Sequence, residues 1–208
     1  MYVVKLIASL LASAVPAYVL GGINGAIITS RLLYHKDIRE YGSGNPGLTN
    51  FYRVFGKGGS LLVIAIDVIK TVAPVLFGGW LFGKCFDLSF LGRAFSGLIV
   101  MLGHCFPLFY KFKGGKGVMA AGAIVIVLDW RMALIGWGTF ILLTALTRYV
   151  SLAAMVGGAT FPVTLVVFGI GGIWEFAAML ACSLLIIVRH SANIRRLIRG
   201  EESKFKFR

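Results

Sequence analysis

Val118-Met119-Ala120-Ala121-Gly122-Ala123-Ile124-Val125-Ile126-Val127-Leu128, interrupted by Asp129-Trp130-Arg131 and resumed as the apolar run 132–147, is the stretch on which the topology turns. As a helix, 118–128 rises only about 17 Å, against a hydrocarbon layer about 30 Å thick. It is either a short span of its own or the first half of one long helix ending near Thr147.

Further apolar blocks lie at 2–30, 59–82, 90–110, 152–170 and 173–188. Of the 208 residues, 58% are hydrophobic and 14% charged, where a soluble domain has roughly 45–50% and about 25%. That excess, laid out in long blocks between short basic stretches, is what a bilayer demands of spanning helices. Charge decides the count. With seven spans, one side collects Arg31, Lys36, Arg39, Arg53, Lys57, Lys111, Lys113, Lys116, Arg148 and the seven Lys/Arg of 189–208, and the other holds Lys5, Lys84, Arg93 and Arg131. Joining 118–128 to 132–147 would send Arg148 to the opposite side and the basic tail outside, against the preference of Lys and Arg for the cytoplasmic face.

The expected fold is therefore an all-α integral membrane protein of about seven transmembrane helices. Its N-terminus is outside, its C-terminus is cytoplasmic, and residues 1–208 form a single domain. The fourth span should be tilted, thin or tucked behind its neighbours. The first block lacks a clean small-residue cleavage site around Pro16, Gly21, Gly22 and Asn24, and reads as a retained helix. The net charge of +13 is accounted for by cytoplasmic loops facing anionic headgroups, which removes the need for a nucleic-acid partner. Cys85, Cys105 and Cys182 stand far apart without ligand spacing and read as small apolar residues. No internal repeat is visible. Gly78-Gly79, Gly157-Gly158 and Gly171-Gly172 suit close helix contact or helix ends.

Three basic segments carry the candidate chemistry. The first reads Tyr41-Gly42-Ser43-Gly44-Asn45-Pro46-Gly47-Leu48-Thr49-Asn50, then Arg53. Gly42, Gly44 and Gly47 satisfy GxGxxG, but a dinucleotide site needs a strand before it and a helix after it within a βαβ unit, and this segment hangs between membrane helices. What remains is anion chemistry: glycines let backbone N–H groups converge, and Ser43, Asn45, Thr49 and Asn50 add short polar donors. The second runs from Gly103-His104-Cys105-Phe106-Pro107 to Phe112-Lys113-Gly114-Gly115-Lys116-Gly117-Val118. Gly117 after Lys116, in place of Ser or Thr, excludes a Walker loop. A Gly-Gly-Lys-Gly run at the start of a helix can still wrap a phosphate, whereas a simple headgroup anchor needs lysine but not the glycines. The third is Arg189-His190-Ser191-Ala192-Asn193-Ile194-Arg195-Arg196-Leu197, ending at Glu201-Glu202. In one continuous helix His190 and Asn193 would share a face and Arg189 would lie with Arg196. Asp67 and Lys70, spaced i, i+3 inside the second span, are expected to pair. Arg148-Tyr149-Val150-Ser151 adds a cation and a hydroxyl to the same side.

These three ordered motifs resemble those of the bacterial membrane acyl-phosphate:glycerol-3-phosphate acyltransferases, the PlsY family. The likeness rests on Gly-Ser-Gly-Asn-x-Gly-x-Thr-Asn with Arg53, on Gly-His-x-Phe-Pro leading to Phe-Lys-Gly-Gly-Lys-Gly-Val, and on Arg-His-x-x-Asn-Ile-x-Arg-Leu with the glutamate at 202. It implies transfer of a fatty acyl group from an acyl-phosphate to the 1-hydroxyl of glycerol 3-phosphate, releasing lysophosphatidic acid and phosphate, without metal or cofactor. It implies catalytic roles for His190, Asn193 and Lys116. Substrate contacts fall to Ser43, Gly44, Asn45, Thr49, Asn50, Arg53, Lys113, Gly114, Gly115, Gly117, Ser151, Arg196 and Glu202. The implied setting is the bacterial cytoplasmic (inner) membrane, with membrane lipid as neighbour and a soluble acyl-phosphate-producing enzyme as partner. Two departures stand out: Met119-Ala120 follow Val118 where the family has Ala-Thr, and Ala154 replaces a frequent second serine. An anion transporter would also gather cations, but near the midplane on broken, repeated helices. A lipid-binding scaffold would not need the glycines beside Lys116.

Overall fold

The computed structural model describes residues 1–205, and among them the secondary structure is helical throughout, with no strand. In chain order the helices are α1 (Tyr2–Gly21), α2 (Gly25–Tyr34), α3 (Leu48–Phe55), α4 (Ser60–Phe86) and α5 (Ser89–Cys105). These are followed by α6 (Val118–Leu128), α7 (Trp130–Thr147), α8 (Val150–Val167), α9 (Ile173–Arg189) and α10 (Ser191–Ile198). Five segments are long and apolar enough to cross a membrane: Tyr2–Tyr34, Ser60–Phe86, Ser89–Tyr110, Trp130–Thr147 and Val150–Val167. The pair α9 and α10 passes the same test only when taken together across its 57° bend, and α6 is the short apolar helix.

The first block is not one helix. α1 ends at Gly21, and Asn24 restarts the chain as α2 by accepting the Ile27 N–H on its side-chain oxygen at 2.9 Å. Valine and leucine side chains along α1, Val3, Leu11 and Val15 among them, remain exposed, as a lipid-facing helix requires. The third block stops at Cys105 and continues as a 3-10 turn, Leu108–Tyr110. Pro107 is the cause, since it offers no N–H and pushes Phe106 out of the helical region. Asp129 breaks the chain between α6 and α7, its carboxylate capping the Arg131 N–H at 2.8 Å. α6 sits inside the bundle with Ala120, Ala121, Ala123, Ile124, Val125 and Leu128 buried, as a helix tucked behind neighbours should.

Close helix approach depends on glycine. A Cβ on Gly92 of α5 would stand 2.3 Å from the Gly78 carbonyl of α4, and one on Gly103 would stand 2.3 Å from the Tyr18 carbonyl of α1. Gly157 and Gly158 bring α8 against Gly136 and Ile186 in the same way, and Gly171 sits in the turn before α9. Cys105 and Cys182 are buried in the core and all three cysteines are free.

Candidate active site

The loops 35–59 and 106–117, the α7–α8 turn and the segment after α9 meet at one end of the bundle, around a cavity of about 850 Å³. Ser43, Asn45, Thr49, Asn50, Arg53, Lys116, Gly117, Ser151, His190, Asn193, Arg196 and Glu202 all line it. Gly44, Lys113, Gly114 and Gly115 do not.

In the first loop, what the sequence presented as a polar turn is partly helix. α3 carries Thr49, Asn50 and Arg53, so Thr49 and Arg53, one turn apart, share a face. Asn50 is buried and shapes the loop: its oxygen accepts the Ser43 N–H at 2.9 Å and its amide donates to the Tyr41 carbonyl at 3.0 Å. The tight turn at Gly42 has φ +61°, and a Cβ there would meet that Asn50 oxygen at 2.3 Å.

The second loop corrects the expected phosphate wrap. The Gly115 N–H is already donated to the His104 carbonyl at 3.2 Å. The carbonyls of Gly114 and Gly115 accept from Arg189 at 2.9 and 3.1 Å. Both glycines are buried, so the Gly115 N–H and the two carbonyls are spent on packing the loop, while Lys113 is exposed. Lys116 and Gly117 are left facing the cavity, at the N-terminus of α6, where helix N–H groups add positive field.

The third segment departs from a continuous helix. The bend at His190 separates Arg189, which clamps the glycine loop and lies over the Phe106 ring, from Arg196, which turns into the cavity beside Asn193. Asn193 is the hub. Its oxygen accepts from the Lys116 ammonium at 2.5 Å, and its amide donates to Glu202 at 2.6 Å. The same Glu202 oxygen accepts from the Ser151 hydroxyl at 2.7 Å, and the other accepts from Arg196 at 2.7 Å. Glu202 thus has both oxygens committed inside the protein. Burial pushes its pKa up, but the bonds from Ser151, Asn193 and Arg196 outweigh it and hold the carboxyl below its ordinary value. Burial, reinforced by Arg196, brings Lys116 down to about 8. His190 is buried with Nδ1 2.8 Å from the Ile186 carbonyl; Nδ1 donates there, which leaves Nε2 with a lone pair.

The cavity also includes residues to which the sequence assigned no role in the site: Asp67, His104, and the apolar Ile64, Val68, Met119, Trp137, Phe140, Val150 and Ala154. His104 stood inside the second motif and could have been singled out there. The apolar members come from four separate helices, and only the folded chain assembles them.

The glycerol-3-phosphate acyltransferase model matches residues 11–200. The chain belongs to the glycerol-3-phosphate acyltransferase family. It is 40% identical to the glycerol-3-phosphate acyltransferase of Syntrophotalea carbinolica over 193 residues, covering 91% of this chain and 94% of that one. With its counterpart from Albidiferax ferrireducens it shares 37% identity over 199 residues, covering 93% and 88%. Among solved structures it resembles PlsY (YgiH), an integral membrane glycerol 3-phosphate acyltransferase, in its glycerol 3-phosphate form. That similarity has a TM-score of 0.84 and 35% identity, covering 95% of this chain and 96% of that one. The lysophosphatidic acid form matches with a TM-score of 0.83 and 33% identity. Like PlsY, this acyltransferase is a multi-pass membrane protein.

Proposed function

We propose that the chain transfers a fatty acyl group from an acyl-phosphate to the 1-hydroxyl of glycerol 3-phosphate, giving lysophosphatidic acid and inorganic phosphate, at the cytoplasmic face of a bacterial inner membrane. The observation that carries this reading is the network Lys116–Asn193–Glu202, with Arg53, His190 and an apolar group including Trp137 and Phe140 lining the same cavity. That apolar group continues into a crevice lined by Gly122, Gly136, Phe161 and Ile186, sharing Val118, Trp137, Phe140 and Ala154 with the cavity. A cationic end for two phosphates joined to an apolar slot for a chain is the shape of this substrate pair.

An acyl-phosphate is already activated, so positioning and charge stabilisation carry most of the catalysis. Lys116 and the N-terminus of α6 hold one phosphate; Arg53, Ser43, Asn45 and Thr49 hold the other. The hydroxyl oxygen forms the new bond to the acyl carbon, and the acyl carbon–oxygen bond to phosphate breaks with its electron pair on the phosphate. His190 Nε2 accepts a hydrogen bond from the attacking hydroxyl and orients it. The proton passes to the departing phosphate, because His190 is a poor place to hold it. Burial disfavours a charged ring and outweighs the Ile186 carbonyl, which favours one, and Lys116 and Arg189 add positive charge nearby. The donor would come from a soluble acyl-phosphate-producing enzyme docking at the cytoplasmic loops, and the N-terminus would lie outside.

The test is acyl transfer by the purified protein in lipidic solution, with palmitoyl phosphate and labelled glycerol 3-phosphate. Labelled lysophosphatidic acid from the wild type, largely lost in Lys116→Ala, supports the reading. No product with any acyl donor, but saturable uptake of label into vesicles, would replace it with a transporter.

A further inference from the structure

A second polar cluster lies buried between α4 and α5, with Asp67 and His104 in the cavity lining but outside the Lys116 network. Lys70 and Asp67 are 4% and 2% exposed, and His104 is 4% exposed. The Lys70 ammonium is 2.8 Å from Asp67 Oδ1 and 2.9 Å from His104 Nδ1, and it also donates to the Ile23 carbonyl. An ammonium has three N–H donors, and here all three are used. His104 Nδ1 must then accept, and the ring carries its proton on Nε2.

Each partner leads to one of the two substrate loops. Asp67 Oδ1 also accepts the Gly25 N–H at 3.2 Å, just past the break in the first span. Asn24, the cap of that break, donates to the Pro46 carbonyl of the first loop at 3.0 Å. On the other side, the His104 carbonyl accepts the Gly115 N–H. Its ring fills the space where Gly115 has no side chain, so that a Cβ there would meet Nε2 at 2.3 Å. One buried ammonium thus ties the loop of Ser43 and Arg53 to the loop of Lys116. Charges inside a membrane protein are costly to bury, and an apolar trio would pack this position more cheaply. What the ion cluster adds is directional geometry.

We propose that Lys70, Asp67 and His104 are positioning residues for acyl transfer, fixing the separation of the two phosphate-holding loops. The inference rests on the reading that both loops bind phosphate-bearing substrates.

The test uses the full-length protein and a contrast at His104. In His104→Asn the side-chain oxygen takes the place of Nδ1 and still accepts from Lys70. In His104→Gln the polar end moves out to the Nε2 position and that acceptor is lost. The asparagine variant should keep kcat/KM within about threefold of wild type. The glutamine variant should raise KM for both glycerol 3-phosphate and palmitoyl phosphate, with kcat/KM down about 100-fold, as displacement by about 1 Å does. A double variant, Asp67→Asn with Lys70→Met, removes the buried charges together; it should melt in detergent no lower than wild type yet show the same two raised KM values. Equal losses in the two His104 variants, a KM rise for one substrate alone, a loss confined to kcat, or wild-type KM values in the double variant would overturn the proposal. Wild-type turnover in the same assay tests the reaction itself, and calorimetric binding of glycerol 3-phosphate compares the variants without any acyl donor.

Discussion

The Ser151 hydroxyl donates to Glu202 Oε1 at 2.7 Å, joining the first turn of α8 to the segment after α10. That oxygen also takes the Asn193 amide, so Ser151 helps fix the group that receives Lys116. Deleting the hydroxyl leaves Glu202 bonded to Asn193 and Arg196. Ser151→Ala should lower kcat/KM for glycerol 3-phosphate by about 3- to 10-fold, the equivalent of one ordinary hydrogen bond. Glu202→Ala removes the acceptor of three donors and should cost about 10- to 100-fold, the scale of bonds to a charged group. Steady-state kinetics on the pair checks the ordering, and equal losses would show that Glu202 does not organise Asn193.

Lys116 supplies a pH dependence with a definite sign. Its pKa is lowered to about 8, so it loses its charge well before an ordinary lysine would as pH rises. The charge on Lys116, proposed to hold phosphate, is present below that value and fades above it, so kcat/KM should decline above about pH 8. Because the free enzyme's ionisation appears in kcat/KM while a bound phosphate keeps the lysine charged, kcat should stay flatter through the same range. Lys116→Arg should move the alkaline limb upward in a pH profile even where its absolute rate is lower.

His190 separates orientation from proton transfer. Gln at position 190 can still accept a hydrogen bond but cannot take a proton at neutral pH. His190→Gln should lose no more than about 10-fold in kcat if orientation is its role, whereas loss of a true general base costs about 10²- to 10⁴-fold. Single-turnover rates with palmitoyl phosphate distinguish the two, and a loss of 10³ or more would assign the proton to His190.

The apolar crevice proposed to take the acyl chain is bounded by Trp137, whose indole N–H donates to the Gly122 carbonyl at 3.2 Å. A Cβ on Gly122 would stand 2.4 Å from the Trp137 ring. Gly122→Ala should push the indole toward the chain and shift preference to shorter acyl donors. One excluded methylene is worth about 1–3 kcal/mol of discrimination, so competition between lauroyl and palmitoyl phosphate should change by about 10-fold or more. An unchanged ratio would place the chain elsewhere.

Helical membrane architecture, the break at Asp129 and three of the site's clusters were legible in the chain itself. Hydropathy and charge sidedness are local, additive properties that a bilayer imposes on each segment independently. The expectation that 118–128 and 132–147 are separate helices agrees with Ser151 and Lys116 reaching one cavity, which a single straight helix from 118 to 147 would forbid. Asp67 and Lys70 pair as their spacing suggested.

Partner choice among buried groups was decided only by the fold. In the sequence the glycines at 114 and 115 look like ligand donors, and Arg189 looks like the companion of Arg196. In the structure Arg189 and His104 consume the glycine loop's polar groups, and the bend at His190 sends the two arginines to different tasks. The break before Asn24, invisible in an apolar run, creates the free carbonyl that Lys70 takes. A sequence lists donors and acceptors, but which of them are spent on the protein and which face a substrate depends on burial, and burial is a property of helices packed together.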